Sequence, residues 1–320
     1  MQYQTARPSS PWTQAVSSAS LLYRQPKPMN DRNLSHGHTQ PCVDLRSRIE
    51  QLGDLPGWPV ERQLELLDTV AGSELGAFVM AHGGLDAHWT DVVVTHQSGS
   101  ARNHADILLL ERLPATLATR HRYGIFRQLL QAALRPRMTL LSIPCGTLTD
   151  LLSLDYRNAP EVHLIGVDID AQALATARSR ALQQGLPVDL RQQDAWQGDI
   201  AAEADIVVSH GLSIYEPNTE RVTQLYRRCA AELKSGGLFL TSFMTPPPSL
   251  NPASPWRLDR LNADDLMLQQ VLFTRLAAPR WTGLRTHGET RALLEEAGFH
   301  DIVFHDDPAC LFPTVTARRP

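Results

Sequence analysis

The sequence predicts an α/β fold, an open, doubly wound, mostly parallel sheet of seven strands with a block of helices in front of it. Two observations carry this. The first is the run from Leu140 to Asp170, LLSIPCGTLTDLL…VHLIGVDID. There an apolar strand enters a tight turn, a helix follows, and a second apolar strand ends in Asp168. The second is the regular alternation of apolar runs with helical patterns from that point to the C-terminus, the pattern of parallel strands joined by crossover helices.

Taken in order, residues 1 to about 40 are rich in Gln, Ser and Pro and lack apolar periodicity, which reads as a flexible arm. His36 and His38 within it read as solvated rather than metal-binding. From Cys42 the pattern turns helical. One helix runs from Pro59 to Ala71 with Leu64, Leu67 and Val70 on one side. Ser73 caps a second that ends at Gly83-Gly84. Leu85 to His96 is ambiguous, because Val92-Val93-Val94 is β-branched while the flanking spacing suits a short helix. Residues 97–105 read as a polar loop. Pro114 opens a long helix to about Leu134, with Leu117, Ile125, Leu129 and Leu130 as its apolar face.

Strands are expected at about 138–143, 162–167, 187–192, 205–209, 237–243, 301–306 and 311–317. Asp170 caps a helix over 171–184, closed by Gly185. A further helix runs from Asn218 to Leu233, with Val222, Leu225, Tyr226 and Cys229 on one stripe. Thr286 and Glu289 form a capping box for a helix ending at Gly298. Between the fifth strand and that helix, Thr245 to Trp256 carries five prolines and a helix follows at about 263–277. Loops at carboxyl strand ends border the ligand crevice in this architecture, so the insertion 245–280 reads as a lid or substrate wall, or equally as a surface linker with an ordinary packing helix. The domains expected are an arm (1–40), a helical cap (41–136) and a catalytic domain (137–320).

The turn after the first strand selects the ligand. An acid just past the second strand holds the two ribose hydroxyls of an adenosine. A dinucleotide turn needs three glycines, whereas Pro144, Gly146 and Thr149 stand at those places here. Proline removes an N–H donor and weakens a pyrophosphate cradle. S-adenosylmethionine has no phosphate to lose, so the turn favours it over NAD.

In the order and spacing of five short motifs, residues 115–318 resemble the class I S-adenosylmethionine-dependent methyltransferases. Their D/E-x-G-x-G-x-G motif corresponds to Ser142-Ile143-Pro144-Cys145-Gly146-Thr147-Leu148, a degenerate version. The resemblance implies a Rossmann-like doubly wound sheet of seven strands with an antiparallel final strand. It maps the ribose acid onto Asp168, followed by Ile169, and the adenine-amino acid onto Asp194, with Ala195 and Trp196 beside the purine. The fourth strand leads through Ser209 into His210-Gly211, and the glycine pair after the next helix is Gly236-Gly237. S-adenosylmethionine is then the cofactor, and methyl transfer to a small acceptor through O, N or S by in-line displacement is the activity.

His210 and Tyr215 are the catalytic candidates, at the strand end that lies over the donor methyl in such a fold. Each is also an ordinary packing residue. His121-Arg122-Tyr123, in the helix before the first strand, is the second candidate set. The resemblance implies that Arg or Tyr there meets the carboxylate at the methionine end of the cofactor, Tyr123 being the first choice. Charged residues on a helix also read as a solvated face. Cofactor contacts are further expected from Ser142, Pro144, Cys145, Gly146, Ser209 and Gly211. In the cap, Trp89, His96, Asn103 and His104 are weaker acceptor-pocket candidates, and near the C-terminus Trp281, Arg285 and Phe312-Pro313-Thr314. Asp205 reads as structural.

The exclusions follow from composition. A net charge of −4 and the lack of an Asn/Asp-Pro-Pro-aromatic motif after the fourth strand argue against nucleic acid. The four cysteines have no C-x-x-C spacing, the histidines no ligand spacing, so no metal is expected. No apolar run reaches membrane-spanning length and no apolar leader is apparent, which makes the cytosol the default. A homodimer is left open. The alternatives are a nicotinamide oxidoreductase, another S-adenosyl chemistry, and a regulatory or pseudo-enzyme protein that binds the cofactor through a degenerate glycine motif.

Overall fold

Seven strands form one sheet in the order β3-β2-β1-β4-β5-β7-β6. They are β1 (Thr139–Ser142), β2 (His163–Asp168), β3 (Val188–Gln192), β4 (Ala204–Ser209), β5 (Leu233–Ser242), β6 (His300–His305) and β7 (Thr314–Arg318). Strands β1 to β5 are parallel, and β7 lies antiparallel between β5 and β6. The computed structural model describes residues 44–320, so the expected arm, His36 and His38 lie outside the described residues. The chain winds from β1 outward to β3, then returns to β4 on the other side of β1. A crevice therefore opens outside the carboxyl ends of β1 and β4.

Helices cover both faces of the sheet. On one face, α6 (Pro114–Ala133), α7 (Thr149–Leu152) and α8 (Ala171–Gln184) bury Phe126, Leu130, Leu151, Leu174 and Ala177 against Leu140, Leu164 and Ile206. On the other, α9 (Thr219–Ala231) and α11 (His287–Glu296) bury Val222, Leu225, Tyr226 and Leu294 against Leu141, Val207 and Phe239. The capping chemistry is as read from the sequence. Asp170 accepts from the Gln172 and Ala173 amides, and Thr286 and Glu289 form a complete capping box.

The cap begins with α1 (Leu45–Leu52), α2 (Val60–Ala71), α3 (Glu74–His82) and α4 (Ala87–Thr95). The ambiguous Val92–Val94 segment is helical because the Asp86 carboxylate accepts from the Trp89 amide and starts α4. The polar loop expected through residue 105 ends earlier. Asn103 caps α5 (His104–Asp106), which widens into π-type turns over Ile107–Arg112. The helix after the proline-rich stretch, α10 (Ala263–Val271 with π-type turns over Leu272–Leu276), does not stand alone. Its Leu268, Val271, Leu272 and Leu276 share one core with Ile49, Leu66, Val70 and Leu109. The cap is thus built from two distant stretches of chain. A cleft of about 690 Å³, lined by Trp58, Arg62, His104, Arg112 and Met267 among others, lies within it, and none of its lining residues belongs to the strand ends.

Two differences from the sequence reading bear on the site. The long helix α6 buries Ala118, Arg122, Tyr123, Phe126 and Leu130, whereas Leu117, Ile125 and Leu129 are only half-buried. An arginine in the middle of the buried stripe hides that stripe from an apolar count. The helix also packs in the sheet core, although it precedes the expected domain boundary at 136. At the other edge, α9 ends at Ala231 and β5 begins at Leu233, four residues before the expected start of the strand.

The turn after β1 reaches its shape without the usual glycines. Gly146 has φ +51°, and Leu148 takes the left-handed conformation with φ +57° while fully buried. Such a φ costs a branched side chain roughly 1 kcal/mol. Packing offsets it, because the Leu148 side chain lies over Gly166 in β2. A Cβ on Gly166 would meet Leu190 at 2.8 Å, Cys145 Sγ at 3.0 Å and Leu148 at 3.2 Å. Gly166→Ala therefore overpacks this layer and lowers unfolding free energy by about 1–3 kcal/mol. Denaturant titration checks this, and an unchanged midpoint would show that Leu148 moves aside freely.

Candidate active site

Three carboxylates organise the carboxyl edge of the sheet. Asp168, 2% exposed at the end of β2, accepts from the Gly146 amide at 2.7 Å and from the Asp170 amide at 2.9 Å. Each carboxylate oxygen keeps a second lone pair. Asp194, half-buried after β3, accepts from the Trp196 amide and the Gln197 side chain, both at 2.9 Å. Ala195 and Trp196 pack on the core of the sheet, with the Arg221 guanidinium 5.5 Å from the Trp196 ring. Ile169 beside them is a large apolar side chain left 41% exposed.

The third carboxylate, Asp150 on α7, escapes the sequence reading. It is 4% exposed, and its Oδ2 accepts from Ser142 Oγ at 2.8 Å and lies 3.1 Å from His210 Nε2. Its Oδ1 is buried with no partner among the described residues. Ser142 stands where the resembling motif carries its acid, so the missing carboxylate is supplied from eight residues further along. That vacancy in the motif was the available signal.

His210 follows β4, its ring 4.2 Å from that of Phe126. Burial pushes its pKa below 6.5, outweighing the pull of Asp150 in the other direction, and the Arg122 cation lowers it further. The imidazole is therefore neutral at pH 7. With the Nε2 proton directed at Asp150, Nδ1 is left as the basic nitrogen. Gly211 beside it has φ +65°, and a Cβ there would meet the Phe312 ring at 3.1 Å and Ser242 Oγ at 3.3 Å. Ser209 is buried, its carbonyl accepting from Thr241 Oγ1 at 2.9 Å.

Among the other candidates, Tyr123 bonds Thr149 O at 3.2 Å and Ser153 Oγ at 3.1 Å, which ties α6 to α7. His121 is exposed. Pro144 is half-buried, and burial raises the Cys145 thiol well above its ordinary pKa, leaving it protonated. Tyr215, Trp281 and Phe312 come together in one cluster above the sheet. Arg285 instead donates to the backbone carbonyls of Ser213, Gly283 and Glu216. Trp89 packs in the cap core, His96 binds Glu111 at 2.9 Å, Asn103 caps α5 and His104 lines the cap cleft. Asp205 is structural, holding the Thr139 amide and Lys234. No cluster of metal-ligating side chains occurs among the described residues.

The family profile of the methyltransferase domain matches residues 140–237, from β1 into β5. A solved structure from Bordetella parapertussis, described as a possible exported protein, is 51% identical, covering 86% of this chain and 93% of its own, with a TM-score of 0.84. The S-adenosylmethionine-dependent methyltransferase SibL is 19% identical over 82% of this chain and 75% of its own, with a TM-score of 0.48. A magnesium protoporphyrin IX methyltransferase from Synechocystis, solved with the methyl donor bound, is 15% identical over 74% and 99%, with a TM-score of 0.45. Residues 140–237 thus carry a methyltransferase domain, set in a seven-stranded sheet with an antiparallel edge. S-adenosylmethionine is the donor that the sequence resemblance implies for such a domain. The residues fit that donor. Asp168 has lone pairs to spare, Gly146 leaves its turn without a side chain, and the Asp150 Oδ1 orphan awaits a donor group.

The lowered His210 pKa makes a signed prediction. Below pH 6.5 the unfolded chain binds a proton at this residue that the folded chain resists. Its contribution to stability is present above 6.5 and is lost as pH falls towards the folded pKa. Comparing His210→Gln with the parent by denaturation between about pH 5 and 7.5 should show the parent losing more stability at the acid end. Parallel pH curves would mean that the imidazole titrates normally.

Proposed function

We propose that this enzyme methylates oxygen, nitrogen or sulfur on a small organic acceptor seated over the carboxyl ends of β4 and β5. The observation that carries the reading is the Ser142–Asp150–His210 chain of contacts, which fixes a neutral imidazole at the end of β4. Asp168 would hold the ribose hydroxyls, Asp194 the adenine amino group, and Ala195, Trp196 and Ile169 the purine. Ser142, Pro144, Cys145, Gly146, Ser209 and Gly211 form the floor, and Tyr123 braces it from α6. When bound, S-adenosylmethionine supplies a methyl group already activated by the positive sulfur.

The chain's own residues then align the acceptor and, where the nucleophile carries a proton, remove it. His210 Nδ1 takes that proton while Asp150 steadies the resulting imidazolium. Tyr215 orients the acceptor from the turn after β4. The cap helices α1 to α5 with α10, and the proline-rich segment before α10, would enclose the acceptor above the sheet. The net charge of −4 favours a small molecule over nucleic acid. No helix of the described residues is long and apolar enough to cross a membrane.

Calorimetric titration with S-adenosylhomocysteine, with NADH as control, tests the reading. Micromolar binding of the first alone is expected. Asp168→Ala should weaken it by about 1.5–3 kcal/mol, the scale of a charge-assisted hydrogen bond; unchanged affinity would move the ribose elsewhere. Once a labelled methyl donor identifies an acceptor, His210→Ala should lower turnover roughly 10²–10⁴-fold with little change in donor affinity. Donor binding without transfer to any acceptor tried would favour the regulatory alternative, which the degenerate turn supports.

A further inference from the structure

Arg122 is given no part in the donor contacts or the proton transfer above, yet it is buried beside His210. It is 4% exposed, in the middle of the buried stripe of α6. A buried cation costs several kcal/mol unless an anion compensates. Its one hydrogen bond is from Nη1 to the neutral Ser242 Oγ at 3.0 Å, and its Nε is buried with no partner among the described residues. Asp150 does not compensate it, because that carboxylate is turned to Ser142 and His210. Burial lowers the guanidinium to about 10, so it is still charged at neutral pH.

The surroundings specify what would complete it. The guanidinium lies 4.2 Å from the centre of the Phe312 ring and 5.8 Å from that of Phe126. Phe312 belongs to an apolar cluster with Ala118, Ile214 and Leu311, on which Tyr215, Trp256 and Trp281 pack. Tyr215 feels a second cation, Arg280, besides Arg122. The Ser242 contact puts Arg122 at the end of β5, on the far side of β4 from Gly146 and Asp168. With strands about 4.8 Å apart, β5 is some 14 Å from β2. The cation is therefore on the acceptor side of His210 and not at the ribose end of the donor.

We propose that Arg122 anchors the carboxylate of a planar aromatic acceptor, whose ring lies among Tyr215, Trp256, Trp281 and Phe312 and whose nucleophile faces His210. The assignment rests on the methyltransferase reading and narrows its substrate class to aromatic carboxylic acids.

The test is calorimetry on protein saturated with S-adenosylhomocysteine, titrated with benzoate and with benzamide as its neutral isostere. Benzoate should bind and benzamide should bind at least tenfold more weakly. Arg122→Met should lose benzoate affinity by roughly 10- to 100-fold, the range for a charge-assisted bond. It should keep its S-adenosylhomocysteine affinity and its thermal midpoint, because an uncompensated buried charge has been removed. Arg122→Lys should retain part of the benzoate affinity. Several results would overturn the proposal: no benzoate binding to the parent, equal binding of the two probes, unchanged benzoate affinity in Arg122→Met, or loss of its cooperative unfolding. A parallel fall in S-adenosylhomocysteine affinity would also overturn it by assigning Arg122 to the donor. Failure of the methyltransferase reading is separate, since it would appear as no S-adenosylhomocysteine binding to the parent protein.

Discussion

The turn after β1 is held by a side chain rather than by its own backbone freedom. The Asp168 carboxylate takes the amide of Gly146 on one oxygen and that of Asp170 on the other, which welds the turn to the end of β2 and to the start of α8. Proline at 144 contributes no amide, and Leu148 adopts a conformation that glycine normally supplies. The glycine that accommodates this arrangement has moved into the strand, where Gly166 leaves room for Leu148 and Cys145. The motif is degenerate in sequence because its steric relief and its acid come from elsewhere in the fold. Gly166 supplies the one and Asp150 the other.

That relocation decides what could be read in one dimension. The strands and crossover helices are legible because their apolar periods are local, and the caps at Asp170 and Thr286 are legible because they act over three residues. The end of β2 is equally plain, since an acid there follows directly from an apolar run. Asp150 is different. Nothing local links it to Ser142 and His210, and only the parallel pairing of β1 with β4 brings the three together. Arg122 was legible only as a member of the His121-Arg122-Tyr123 set. Its burial was not, because a charged residue on a helix reads as solvent-facing, and here it occupies the buried stripe. The cap was legible as helices but not as a unit, because α10 joins its core from more than 150 residues after α2.

The cap is latched to the turn as well as stacked above it. Asp91 on α4 accepts from Arg180 Nη2 at 2.6 Å and from Thr149 Oγ1 at 2.5 Å. Burial alone would raise the Asp91 pKa, and these bonds outweigh it and hold the group below its ordinary value. Ala87, at the start of the same helix, faces Gly146 closely enough that a Cβ there would lie 3.5 Å from the Ala87 methyl. One helix of the cap thus contacts both the glycine turn and the helix that Asp170 caps. Any change in the turn is transmitted to the cap through packed atoms and a half-buried ion pair.

Charge placement at the strand ends follows a consistent logic. His210 lies between a carboxylate that favours its protonation and a guanidinium that opposes it, and burial tips the balance to the neutral form. Were Arg122 paired with Asp150, the imidazole would lose the acceptor that orients it, and the site would hold a satisfied ion pair with nothing left to recognise. Keeping the two apart leaves one buried orphan on each, Oδ1 of Asp150 and Nε of Arg122. Unsatisfied buried groups of opposite sign are costly for a protein that binds nothing. On the two sides of a neutral base, they are what a site needs if cationic and anionic groups are to be brought into line across it.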